Sequence, residues 1–175
     1  MHGGLCVDMN TGRAYRDCEE GRMLRISQKL EYATRALIEL AYRPVGLLVP
    51  AREISEAQQT PLRFLEQQLG TLAKAGLVES HRGAGGGCRL ARKASEITMA
   101  QVADAIEGPF YPMVCLEPGD ATCSQESRCG LQGLWNEVQR SVRQVFEKTT
   151  VADLAARSRR HGPVIFTPDE LMRNR

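Results

Sequence analysis

The stretch PLRFLEQQLGTLAKAGLVESHRGAGGGCRLAR, residues 61–92, decides how the chain folds. Its first half places Leu62, Leu65, Leu69 and Leu72 at helical spacing, and Gly76 stops the helix. Thr60 is expected to cap it, with Pro61 suiting its first turn. The second half changes period. LVESHR (77–82) alternates as a strand does, GAGGG (83–87) is a tight turn, and CRLA (88–91) returns as a second strand. A helix therefore runs directly into a β-hairpin.

Upstream, SQKLEYATRALIELAYR (27–43) carries Leu30, Ala33, Leu37, Leu40 and Ala41 on a helical stripe, with Ser27 as N-cap and Pro44 and Gly46 as stops. A short helix is expected from about Ala51. Three helices followed by a hairpin is the order of a winged helix-turn-helix, whose third helix enters the major groove and whose hairpin is the wing. Downstream, TMAQVADAIEG (98–108) reads as a helix from Thr98 to Gly108. A polar segment with three cysteines follows. Leu134, Val138, Val142, Val145 and Phe146 then form a one-sided stripe on a long helix that needs a partner to cover it. TTVADLAARSRR (149–160) suggests a last short helix. The expected fold class is mainly α with a small β-hairpin wing. The expected organisation is a disordered extension (1–22), a winged helix-turn-helix domain (23–108), a cysteine loop (109–130), a dimerisation helix with its short successor (131–158) and an irregular tail (159–175).

Hydrophobic residues make up 42% of the 175-residue chain and charged residues 25%, which is ordinary for a globular protein. Aromatics are only 5%, so aliphatic side chains must fill the core. No apolar run approaches the ~20 residues of a membrane span, and the first 22 residues lack a secretory pattern, so the expected compartment is the cytoplasm. Clustered cysteines there more often bind metal or sense redox state than form disulfides.

A net charge of +2 argues nothing about nucleic acid; its placement does. Lys74, Arg82, Arg89, Arg92 and Lys93 fall in one stretch, opposed there only by Glu79, where a wing would meet phosphates. Arg82 and Gly83 stand at the wing turn, suited to a minor-groove or backbone contact. Arg63, Glu66 and Gln67 start the third helix and could reach base edges, Glu66 accepting from cytosine N4. The competing reading is a three-helix domain with a solvated basic face. GAGGG is not a phosphate loop, because no helix opens from it and no GK[ST] follows. No Ser/His/Asp set or carboxylate pair supports catalysis.

Cys115, Cys123 and Cys129 are spaced C-x7-C-x5-C. This is neither the C-x2-C of a zinc ribbon nor ferredoxin spacing. From spacing alone a metal site, a thiol switch and coincidence all stay open. Cys88 is read as a strand residue packed on the hairpin, and Trp135 as packing beneath the cysteine loop. Cys6 and Cys18 lie in the extension, and His2, His81 and His161 form no site.

The helix at 61–74, the LAKAGLV turn, the RGAGGG wing, ITMAQVADAIEG and the cysteine loop occur in an order that resembles the Rrf2 family of bacterial winged-helix regulators, of the IscR and NsrR type. The resemblance runs from Met23 to about Ala156. It implies a homodimer held by the long helix, with Arg63, Glu66 and Gln67 reading double-stranded operator DNA and Arg82 on the wing. It also implies an iron–sulfur cluster, four-iron or two-iron, on Cys115, Cys123 and Cys129, sensing iron–sulfur status, nitric oxide or redox state, most simply in a repressor. The fourth ligand varies in such proteins. A His three residues after the last cysteine is replaced here by Gln132. An acidic residue early in the first helix, reaching over from the other subunit, is matched here by Glu31. Two alternatives stand beside this: a cluster-free regulator using thiols or another signal, and an iron–sulfur electron carrier without a DNA role.

Overall fold

The computed structural model describes residues 6–7, 14–15, 26–83, 85–119 and 129–160. In the N-terminal extension, β1 (Cys6–Val7) pairs antiparallel with β2 (Ala14–Tyr15). That is short structure where none was expected; the rest of the extension, and the tail beyond 160, lie outside the described residues.

α1 (Gln28–Tyr42) begins where Ser27 Oγ accepts the Leu30 N–H at 3.2 Å, the N-cap foreseen from sequence. It buries Leu30, Ala33, Ala36, Leu37 and Leu40. Arg43 turns extended before Pro44. α2 (Ala51–Gln58) buries Ile54, and Gln59 closes it in the left-handed region at φ 49°. α3 (Leu62–Lys74) follows at once, which completes the helix-turn-helix.

Thr60 does not cap α3. Pro61 is its N-cap residue and contributes only its carbonyl, which accepts the Leu65 N–H at 2.9 Å. Thr60 instead closes the turn from α2: its N–H donates to the Ser55 carbonyl and its own carbonyl accepts from Ser55 Oγ. This turns Thr60 inward, where Oγ1 is buried without a hydrogen-bond partner.

The end of α3 explains why a hairpin starts there. Ala75 is its C-cap, and Gly76 takes φ +70°. The Leu77 N–H reaches back to the Leu72 carbonyl and the Gly76 N–H to Ala73, a Schellman closure with Leu72 and Leu77 both buried. The chain leaves as β3 (Val78–His81), which pairs antiparallel with β4 (Gly87–Leu90) in the register Val78↔Leu90, Glu79↔Arg89, Ser80↔Cys88 and His81↔Gly87. Val49, before α2, exchanges backbone hydrogen bonds of 2.8 Å with Cys88 and ties the hairpin to the helices. Gly87 is needed for this contact, because a Cβ there would lie 2.6 Å from the Val49 carbonyl oxygen.

α4 (Met99–Glu107) opens with a reciprocal capping box between Thr98 and Gln101 and ends at Gly108, φ +82°. α5 (Gly130–Lys148) buries no residue, whereas α6 (Val151–Arg160) returns to the core. The Met99 N–H donates to the Thr149 carbonyl, the Val151 N–H to Ile97, and Tyr42 Oη to the Ala155 carbonyl at 3.0 Å. Val151 is fully enclosed. Grouped by sequence with the long helix before it, α6 packs against the winged-helix core through Val151 and Ala155.

Candidate functional site

Arg63, Glu66 and Gln67 are exposed on α3, opposite the buried Leu65, Gln68, Leu69 and Leu72. Lys74 lies eleven residues after Arg63 and shares that exposed face. Gly70, seven residues after Arg63, stands in the middle of it, with no atom within 4 Å of where a Cβ would sit. The bare backbone there permits close approach of a ligand. The sequence reading passed over Gly70; its spacing from Arg63 was the available signal. Arg63, Glu66, Lys74 and Arg82 have no ion pair among the described residues.

The basic stretch foreseen as one patch divides into three parts. Arg82 and Gly83 stand exposed at the wing tip, where the Gly86 N–H closes the turn on the Gly83 carbonyl at 2.9 Å. Arg89, expected to meet phosphate, is engaged within the protein. The hairpin register sets it opposite Glu79, at 2.6 Å, and it also donates to the Gly46 carbonyl at 3.3 Å. Arg92 and Lys93 lie past the end of β4, at the base of the hairpin.

A second group missed from sequence holds the helix-turn-helix together. Glu39, buried on α1, accepts from Arg43 Nη2 at 2.7 Å and from Gln58 Nε2, at the end of α2, at 2.9 Å. Arg43 also pairs with Glu53 at 2.9 Å. A buried carboxylate is stable only when so satisfied.

Cys115 lies half-buried in a single 3-10 turn, Val114–Leu116, beyond α4, and Cys129 is the half-buried N-cap residue of α5. Cys123 lies outside the described residues. Free thiols flanking one segment suit soft iron ligation by the chemistry of their donors, yet among the described residues no group of three or more His, Cys, Asp or Glu is placed to hold a metal. Glu31 is exposed on α1 and pairs with Arg35 one turn on, at 2.6 Å. Gln132 is in the first turn of α5. Cys88 is enclosed in the core, and burial pushes its thiol pKa up, partly offset by a hydrogen bond with Ser80.

The α5 stripe is only half covered. Val138, Val142 and Phe146 are half-buried, with Phe146 packed against the core, while Leu134 and Val145 are 53% and 61% exposed. Arg143 clamps α5 to α4 through both oxygens of Asp104, at 2.6 and 2.9 Å. An open cleft of about 850 Å³ runs between the start of α1, α4 and α5, bordered by Ile26, Leu30, Phe110 and Phe146. Among the described residues no helix is long and apolar enough to cross a membrane.

A family model described as Rrf2, iron-dependent transcriptional regulator, matches residues 26–157. A Mycobacterium tuberculosis protein bearing the name of an HTH-type transcriptional regulator is 39% identical over 132 residues, which are 75% of this chain and 81% of its own. The HTH-type transcriptional regulator IscR of Vibrio atlanticus is 34% identical over 131 residues, 75% of each chain. Among solved structures, CymR, the global cysteine regulator of B. subtilis, aligns with a TM-score of 0.63 at 32% identity, covering 77% of this chain and 98% of that one. IscR of T. potens aligns with a TM-score of 0.63 at 29% identity, covering 79% and 91%.

Proposed function

This chain belongs to the Rrf2 family of winged-helix transcriptional regulators, which are not enzymes, and from that premise we propose that it reads operator DNA as a homodimer under the control of an iron–sulfur cluster on Cys115, Cys123 and Cys129. The observation that carries the proposal is the position of the described thiols. Cys129 is the N-cap residue of α5 and Cys115 follows α4, so whatever holds both fixes the start of α5 against the core.

When bound, a cluster supplies iron that nitric oxide, oxygen or loss of iron can alter. The chain does the rest. Cys115 and Cys129 hold the ends of their segment, and α5 transmits that constraint to a second copy through the stripe of Leu134, Val138, Val142, Val145 and Phe146. Glu31 of the other copy is the candidate fourth ligand, which requires it to leave Arg35. Dimeric readers need half-sites about one helical turn apart. A small change in how two copies meet therefore moves two α3 helices out of register, and a coupling of about 1–3 kcal/mol suffices. At the DNA, Arg63, Glu66 and Gln67 meet base edges, Gly70 lets the backbone approach, and Lys74, Arg82 and Gly83 meet phosphates.

The test is anaerobic purification with iron and sulfide quantification, then binding to the DNA upstream of the chain's own gene with and without the cluster. The expected sample is brown, and its DNA affinity changes when iron is removed. A colourless, iron-free anaerobic sample overturns the cluster. A second reading, a thiol switch without metal, is favoured by the likeness to CymR. It predicts DNA affinity that responds to thiol oxidants but not to iron chelation.

A further inference from the structure

The turn that leaves α1 presents apolar side chains to solvent on a rigid mount. Pro44, Val45, Gly46 and Leu47 form a β-turn in which the Leu47 N–H donates to the Pro44 carbonyl at 3.1 Å. Gly46, at the third position, has φ +87°. That is type II geometry, which favours glycine there. Val45, at the second position, is 102% exposed, and Leu47 is 48% exposed. Arg89 fixes the turn to the wing through the Gly46 carbonyl while Glu79 holds its guanidinium. An apolar knob already held in place loses little conformational freedom on binding.

Beside the turn is a groove of about 380 Å³ whose lining includes Leu90 and Ala91. The charges around it are Arg43, Arg89, Arg92 and Lys93 against the single carboxylate of Glu79. Arg43 is engaged by Glu39 and Glu53, and Arg89 by Glu79. Arg92 and Lys93 are exposed and have no ion pair among the described residues. The groove thus combines an apolar edge with two free cations.

Those cations stand apart from the wing tip. The hairpin leaves the C-terminal end of α3, whose 13 residues place it about 20 Å from the first turn that carries Arg63. β4 then runs four residues back from the wing tip, about 13 Å, before Arg92 is reached. Arg92 and Lys93 therefore sit at the opposite end of the hairpin from Arg82.

We propose that this groove docks an acidic, leucine-bearing peptide segment of a protein partner. The partner's apolar side chains pack on Val45 and Leu47, and its carboxylates pair with Arg92 and Lys93. A central apolar anchor ringed by charge is the usual anatomy of such contacts. The site is independent of any cluster.

The probe is a fluorescein-labelled synthetic peptide with leucines at i, i+3, i+4 and i+7 and glutamates between them, titrated onto the full-length chain. Saturable binding is expected, weakened at least ten-fold by Val45→Asp and by the pair Arg92→Glu/Lys93→Glu. Both variants should keep the wild-type melting temperature and bind upstream DNA within two-fold of wild type. The proposal is overturned by the absence of saturable binding, by equal binding of a control peptide with serines for leucines or lysines for glutamates, or by binding that either variant leaves intact. Loss of DNA affinity with a shallower salt dependence in Arg92→Glu/Lys93→Glu would assign these cations to phosphate and overturn it as well.

Discussion

Tyr32 and Phe64 meet edge to face, their ring centroids 5.5 Å apart and their planes at 88°. Tyr32 follows Glu31 on α1, and Phe64 follows Arg63 in the first turn of α3. One aromatic contact thus joins the helix bearing the candidate fourth ligand to the turn proposed to face DNA. Such pairs contribute about 0.5–1.5 kcal/mol beyond the area they bury. A double-mutant cycle of Tyr32→Leu and Phe64→Leu should return a coupling of that size in urea unfolding. Phe64→Leu should also weaken DNA binding while Lys29→Ala, on the exposed side of α1, leaves it unchanged. No coupling, or equal DNA affinity in both, would show that the rings pack without positioning α3.

The three-way division of the basic stretch gives opposite expectations for neighbouring arginines. Arg82→Ala at the wing tip should weaken binding to all sequences about equally and lower the slope of log affinity against log salt by about 1. Glu66→Ala should cost about 1–3 kcal/mol on the preferred site and relax its base preference. Arg89→Ala should leave the salt slope unchanged, because its guanidinium is already held by Glu79 and Gly46. The stability lost with this half-exposed pair should be below about 1 kcal/mol. Fluorescence anisotropy at several salt concentrations separates the three.

What the sequence made legible was local. The Gly76 stop and the Ser27 cap each rest on a residue's own chemistry, and each stands where it was expected. What it hid needed a third dimension. Arg89 could be matched to Glu79 only through the hairpin register, and Glu39 to Gln58 only once α1 and α2 were packed. Val151 and Ala155 sit in an ordinary amphipathic stretch that does not say which surface it covers, so the packing of α6 on the core was not foreseen. Thr60 looked like a cap because threonine before proline commonly is one; the Ser55 hydrogen bonds turned it inward.

Leu134 and Val145 are exposed in one chain, and the dimer reading requires them to be covered by a second. Leu134→Glu and Val145→Glu should each shift sedimentation from dimer toward monomer, because a charge buried in an apolar interface is costly. Thermal stability of the core should survive, since neither side chain belongs to it. Sedimentation velocity across a concentration series reads the outcome. A variant that stays fully dimeric at the lowest concentration would place the interface elsewhere.

The cysteines should differ in reactivity by position. Cys88 is enclosed in the core and its thiol pKa is raised by burial, whereas Cys115 and Cys129 are half-exposed. Iodoacetamide at pH 8 should therefore modify Cys115 and Cys129 first in the cluster-free chain, with Cys88 labelled only as the protein unfolds. The same shift sets a sign for stability. The folded state holds the Cys88 proton more tightly than the unfolded chain does, so this contribution is complete below the unfolded thiol's value of about 8.5. It is lost as pH rises through the higher folded value. Urea midpoints measured upward from pH 8 should fall, and fall less steeply in Cys88→Ala, whose small side chain fits the same strand position at some cost in packing. Cys88 labelling as fast as Cys115 in the native protein would mean that the base of the wing opens far more readily than its packing against Val49 implies.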